Sequence, residues 1–138
     1  MPNPAPPTDP YDAGGDASLA AIDAAIRIIP DFPQPGILFR DITPLIADPG
    51  LFADVVERLA AIARRFQPDI IIAVEARGFL FGGPVALALG IGLVPVRKPG
   101  KLPGATHAAD YFFVNGTAPP EIYTDAVRAG TRVLLLDD

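Results

Sequence analysis

The stretch DIIIAVEARGFLFGGPVALALG, residues 69–90, decides the fold. Its first part, DIIIAVEA (69–76), is a continuous, β-branched run with no polar alternation. A strand of a parallel sheet covered on both faces has this character. Its second part, FLFGGPVALALG (79–90), reads as a largely apolar helix that Gly90 ends. Between them lies Glu75-Ala76-Arg77-Gly78, and Arg77 is the one arginine of residues 74–90. A charge left unpaired beside so apolar a sequence is costly, so Arg77 needs a reason.

Working outward, GLVPV (92–96) and TRVLLLDD (131–138) repeat the buried-strand pattern. Strands alternating with helices predict an α/β fold, a parallel sheet flanked by helices. Between these strands, RKPGKLPGATH (97–107) is a basic loop, and ADYFFV (109–114) and PEIYT (120–124) suggest an antiparallel hairpin around the turn NGT. DAVRAG (125–130) suggests a short helical turn. On the N-terminal side, SLAAIDAAIRII (18–29) spaces Leu19, Ile22, Ile26 and Ile29 as a helix does, and Pro30 stops it. PDFPQPG (30–36) is a stiff, extended loop, and LFADVVERLAAIARRF (51–66) is an amphipathic helix. Residues 1–16, rich in Pro, Gly and Asp, predict a disordered tail, which leaves residues 17–138 as the domain.

Composition narrows the function classes. The net charge is −5 and no long basic run occurs, which argues against a nucleic-acid partner. The chain has no cysteine, which excludes disulfides and thiolate metal sites. No apolar stretch reaches the ~18 residues of a membrane helix, and the Pro-rich, acidic N-terminus is unlike a signal peptide. A cytoplasmic protein is the plain expectation.

Ligands of open α/β sheets bind beyond the carboxyl ends of the strands. Here those ends carry Glu75 and Arg77, then Arg97, Lys98 and Lys101, and finally Asp137 and Asp138. Two strands deliver cations and one delivers paired acids, a pattern suited to a phosphate-sugar ligand. Phe39, in GILFRD (36–41), has a flat ring that suits either a purine or simple core packing. Arg40 and Asp41 are candidates to pair with each other, and Asp41 is a good cap for the helix ITPLIA (42–47). His107, the only histidine, has no acid or cysteine arranged around it in sequence and reads as solvent-facing.

PDFPQPGILFRDITPL (30–45), VEARGFLFGGPVALALG (74–90), PVRKPGKLPG (95–104) and RVLLLDD (132–138) together resemble the adenine phosphoribosyltransferases of the type I phosphoribosyltransferase fold, in order and spacing. The resemblance covers roughly residues 19–138. It implies a reaction in which adenine and 5-phosphoribosyl-1-diphosphate give AMP and pyrophosphate with Mg²⁺, and it implies a homodimer. Residue by residue, it implies diphosphate binding by Arg77, Gly78, Lys98 and Lys101, and ribose binding by Asp137 and Asp138. It implies base binding by Leu38, Phe39 and Arg40, with the ring of Phe39 stacked on the purine. The plainer alternatives are an Arg77 that pairs with Glu75, a solvated lysine loop and a solvated acidic end.

Two departures from the family pattern stand out. The hairpin reads YFFVNG (111–116), so Tyr111 and Gly116 match, but Val114 occupies the position of a glutamate proposed to move a proton on the purine, and Asn115 that of a tyrosine. Valine cannot serve as acid or base, so the catalytic residue is unassigned. Asp138 also falls where the family continues into a loop that cradles the 5′-phosphate, so the sequence predicts a fold incomplete at its C-terminal side and weak transfer activity for these residues alone. The alternatives are a non-catalytic or partner-dependent nucleotide- or diphosphate-binding relative, and a phosphoribosyltransferase for another base.

Overall fold

The computed structural model describes residues 17–108 and 119–138. The expected tail over residues 1–16, the strand over 109–114, and Tyr111, Val114, Asn115 and Gly116 lie outside the described residues. Among those described, no helix is long and apolar enough to cross a membrane. The chain divides into two compact units between Val55 and Val56.

The first unit opens with helix α1 (Ala17–Ala25), followed by strands β1 (Arg27–Pro30) and β2 (Leu38–Asp41). The β1 strand corrects the expected helix over residues 18–29: only its first part is helical. The β-branched Ile28 and Ile29 leave the helix and pair antiparallel with Arg40 and Phe39. Pro30 stands opposite Leu38 at the strand end, a position where its missing N–H does little harm. The 31–37 connection is held by more than its prolines. Phe32 N donates to Ile37 O (3.2 Å), Ile37 N to Gln34 O (3.2 Å), and Gly36 N to the Asp31 carboxylate (2.7 Å).

Helix α2 (Thr43–Ala47) follows, with Leu45 buried, and α1 packs against it. The helix begins one residue later than expected, so that Ile42 and not Asp41 is its cap residue; Asp41, one position earlier, still meets its start, its Oδ1 accepting from Thr43 N at 2.9 Å. It does not pair with Arg40. Adjacent strand residues point to opposite faces, and Asp41 instead meets Arg27, its cross-strand partner, at 3.5 Å. The division between units falls inside helix α3 (Pro49–Arg64), whose start is capped by Asp48 Oδ1 accepting from Gly50 N and Leu51 N at 2.9 Å each.

The second unit is built on strand β3 (Ile70–Val74), helix α4 (Gly78–Leu89), strand β4 (Gly92–Val96) and strand β7 (Val133–Leu136). Both β4 and β7 run parallel to β3, which lies between them. Ile71 and Ala73 of the central strand and Val85 of α4 are fully buried, and Phe81 and Ala86 of α4 are nearly so. The helix lies very close to the sheet at Gly82, where a Cβ would come within 2.6 Å of the Ala73 Cβ and 3.1 Å of Leu93 Cδ1. Gly90, in the left-handed conformation, ends α4 as expected.

The expectation of a third buried strand is corrected for β7. Leu136 is buried, but Val133 is 41 % and Leu135 66 % exposed, because β7 is the outer strand of this three-stranded sheet and only one of its faces meets α4. Among the described residues, pairing in the hairpin begins at Thr106, and its second strand falls within the expected 120–124. Strand β5 (Thr106–Ala108) pairs antiparallel with β6 (Glu121–Tyr123), Thr106 opposite Tyr123 and Ala108 opposite Glu121. An isolated bridge between Arg97 and Glu121 ties this hairpin to the end of β4. Residues 124–130 form turns rather than a helix.

Candidate functional site

The parallel register sets the carboxyl ends of the three strands side by side: Val74 stands opposite Val96, and Ala73 opposite Leu136. The residues that follow are therefore neighbours. The charges anticipated at this edge are indeed gathered there, but in a specific pairing.

Arg77 does not pair with Glu75. Its guanidinium Nε donates to Asp138 Oδ2, which joins the loop after β3 to the residues after β7. The Asp138 carboxylate holds the Arg77 pKa above its ordinary value, and the nearby Asp137 adds to the effect. Gly78, the first residue of α4, is buried against the same segment. A Cβ there would meet Leu136 O at 3.0 Å and Asp137 Oδ1 at 3.1 Å. A larger residue there would have to push the end of β7 back by a few tenths of an ångström. Asp137 turns its Oδ1 back onto the backbone N–H of Asp138, at 2.9 Å.

Glu75 takes a different partner set. Its Oε2 accepts from Lys98 N at 2.8 Å and from Arg97 Nε at 3.3 Å, and its own backbone N donates to Val96 O at 2.9 Å. The Lys98 N–H, with help from Arg97, holds the Glu75 carboxyl below the usual carboxylate range. Arg97 is thereby committed to Glu75, while Lys98 and Lys101 remain exposed around a turn in which Lys101 N donates to Lys98 O at 3.2 Å. Glu121 holds the far side of this turn. It exchanges backbone hydrogen bonds with Arg97 (2.9 and 2.7 Å), and its Oε2 accepts from Gly100 N at 3.2 Å.

Neither Glu75 nor Glu121 is a candidate on sequence grounds. Glu75 is visible as a charge at a strand end, but its partners lie in the loop after β4. Glu121 carries no sequence signal at all. His107 is exposed as expected, although on strand β5 opposite Ile122 rather than in a loop. Two open cavities flank this hairpin, one of about 370 Å³ lined by Gly104, Ala105, Tyr123, Thr124 and Asp125, the other of about 190 Å³ beside His107 and Ile122.

In the first unit, the residues expected to receive a base lie on β2. Leu38 is 67 % exposed, and Phe39 on the other face of the strand is half-buried. The Phe39 ring meets the edge of Phe32 with centroids 5.2 Å apart and planes at 78°. Arg40 is exposed, opposite Ile28. Among the described residues, no three His, Asp or Glu side chains come together as a metal cluster.

No protein-family model matches the chain. It is, however, 55 % identical over 123 residues to an adenine phosphoribosyltransferase of Sphingopyxis alaskensis, covering 89 % of this chain and 65 % of that protein. It is 52 % identical over 126 residues to the one from Frankia casuarinae, covering 91 % of this chain and 67 % of the relative. Among solved structures, the adenine phosphoribosyltransferase of Thermoanaerobacter pseudethanolicus superimposes with a TM-score of 0.78 at 50 % identity, over 85 % of this chain and 67 % of that one. The Saccharomyces cerevisiae enzyme, complexed with an imino-altritol bisphosphate and adenine, gives 0.81 at 40 % identity, over 88 % and 72 %. The chain thus spans about two thirds of the length of the relatives it matches. With a parallel sheet flanked by helices, an antiparallel hairpin and relatives of this similarity, the chain belongs to the adenine phosphoribosyltransferase family.

Proposed function

We propose that this chain carries substrate-binding parts of an adenine phosphoribosyltransferase that works in cytoplasmic purine salvage. In the reaction, the C1–O bond of phosphoribosyl diphosphate breaks and a bond from the same carbon to an adenine nitrogen forms, releasing pyrophosphate, AMP and the proton of that nitrogen. The observation that carries the reading is the gathering of Arg77, Gly78 and the exposed Lys98 and Lys101 after β3 and β4, beside Asp137 and Asp138 after β7. Cations set where a diphosphate departs stabilise the charge that develops on it. Gly78 brings the backbone of the α4 start to the same place, where its N–H groups favour an anion. The two aspartates are suited to accept hydrogen bonds from ribose hydroxyls.

Leu38, Phe39 and Arg40 would receive the base, the Phe39 ring stacking on adenine and the backbone of its neighbours meeting the purine edge. Mg²⁺ usually binds through one or two carboxylates plus substrate phosphates. A site with Asp137 and Asp138 but no three-acid cluster among the described residues fits an ion carried largely by the diphosphate. Bound there, it would neutralise the leaving group. Val114 at the family's glutamate position leaves proton transfer to another group or to solvent. The same family likeness extends to a homodimer, which sedimentation velocity tests.

Titration calorimetry with pyrophosphate tests the reading directly. Arg77→Ala should weaken binding by about 1–3 kcal/mol, the scale of a lost hydrogen bond to a charged group. Unchanged affinity in a folded variant overturns the diphosphate assignment.

A further inference from the structure

The loop that carries Lys98 and Lys101 is held from two sides by carboxylates. On one side Glu75 Oε2 accepts the Lys98 backbone N–H at 2.8 Å. On the other, Glu121 Oε2 accepts the Gly100 N–H at 3.2 Å. Glu121 is itself fixed by its two backbone bonds to Arg97, and Glu75 by its backbone bond to Val96. The loop is rich in Gly and Pro, with Gly100 at a φ of +78°. Such a segment has little local structure of its own beyond the Lys98–Lys101 turn, and these five hydrogen bonds hold it in place. Lys98 and Lys101 project from it while the loop backbone stays tied to β3 and β6.

We infer that Glu75 and Glu121 are positioning residues for the diphosphate: they fix the 97–101 backbone so that the Lys98 and Lys101 ammonium groups stand preorganised beyond the ends of β3 and β4. This inference rests on the diphosphate reading of those lysines. A carboxylate beside cations should by charge alone repel an anionic ligand. Simple electrostatics predicts that removing either glutamate tightens anion binding. Positioning predicts the opposite, since a lysine that must be ordered at the moment of binding loses affinity.

The test uses the 138-residue chain, pyrophosphate as the probe, and calorimetry on Lys98→Ala, Glu75→Gln, Glu75→Ala, Glu121→Ala and the double variant Glu75→Ala/Lys98→Ala. Glu75→Ala and Glu121→Ala should each weaken pyrophosphate binding about three- to tenfold. Glu75→Gln keeps an oxygen to accept the Lys98 N–H and should stay within about twofold of the parent. With Lys98 already removed, Glu75→Ala should cost less than about twofold, the non-additivity of residues that act through one another. Additive losses, or tighter binding in either glutamate variant, overturn the inference. Amide hydrogen exchange reads the clamp independently of any ligand. The Lys98 amide should exchange at least about tenfold faster in Glu75→Ala than in the parent, with the Ile72 amide of β3 unchanged. If Lys98→Ala leaves pyrophosphate affinity intact while the Lys98 amide is deprotected as expected, the diphosphate reading has failed and the clamp stands. If Lys98→Ala weakens binding and Glu75→Ala changes neither affinity nor exchange, the clamp is wrong and the diphosphate reading stands. Should Glu75→Ala fail to fold, Glu121→Ala with the Gly100 amide decides the same question.

Discussion

Arg77 and Asp138 close on each other between the loop after β3 and the end of β7, so the cation proposed for the diphosphate is engaged by an acid proposed for the ribose. A diphosphate that takes Arg77 must compete with that carboxylate. Asp138→Asn should therefore tighten pyrophosphate binding, opposite in sign to Arg77→Ala. The size is small. The Arg77 side chain is 54 % exposed, and exposed ion pairs are worth about 0–1 kcal/mol, so calorimetry should find a gain of up to about fivefold. Weaker pyrophosphate binding in Asp138→Asn would show that the carboxylate holds Arg77 ready for the ligand rather than away from it.

Phe39 separates stacking from packing. Its ring is half-buried and touches Phe32 edge-on. A base-stacking ring predicts that Phe39→Ala raises the adenine dissociation constant about tenfold, the upper range of one aromatic contact. Pyrophosphate affinity should be nearly unchanged. Phe32→Ala, which removes only the edge contact, should cost adenine less than Phe39→Ala. Equal loss of both ligands, with a lowered melting temperature, would assign Phe39 to structure alone.

The parts of this fold that were legible are those written in consecutive residues. Ile70 to Val74 is β-branched and apolar throughout, and Gly90 marks the helix end, so strand, helix and direction follow from one stretch. Ile26 and Ile29 misled because their spacing from Leu19 and Ile22 fits a helix, while the pairing that makes Ile28 and Ile29 a strand is supplied by Phe39 and Arg40 beyond the 31–37 turn. The site shows the same division. Its charged residues were visible as the ends of buried strands. Who pairs with whom was not, because Arg77 reaches Asp138 and Glu75 reaches a backbone N–H of Lys98 only through the register of the sheet. Glu121 was invisible for the same reason: it looks like any surface glutamate until β6 lies beside the end of β4.

Asp69 and Arg132 clamp the opposite end of the sheet. The guanidinium donates to both Asp69 oxygens (2.9 and 3.3 Å), and the Arg132 N–H adds a bond of 2.8 Å. These bonds, the guanidinium's first, hold the Asp69 pKa below its ordinary value. A carboxylate with a depressed folded-state pKa contributes stability above its unfolded pKa, about 3.9 for Asp, and loses that contribution as pH falls through the folded value. Asp69→Asn should thus lower the urea midpoint at pH 7, with the two curves drawing together as pH falls below about 4. A constant offset at all pH values would mean that the amide fails for steric reasons and that the charge does not matter.

Gly82, where α4 comes nearest to the sheet, should reject alanine. At Gly82 the new Cβ would stand 2.6 Å from the Ala73 Cβ and 3.1 Å from Leu93 Cδ1, and Ala73 belongs to a fully buried strand position that cannot retreat. The helix would have to move off the sheet, and overpacking of this kind costs about 1–3 kcal/mol. Urea unfolding should therefore show a lowered midpoint for Gly82→Ala. The pair Gly82→Ala/Ala73→Gly moves the methyl group from strand to helix and should recover part of the loss. If Gly82→Ala is as stable as the parent, α4 does not lie as close to β3 as this packing requires. The start of α4 at Gly78, against the end of β7, would then have to be reconsidered with it.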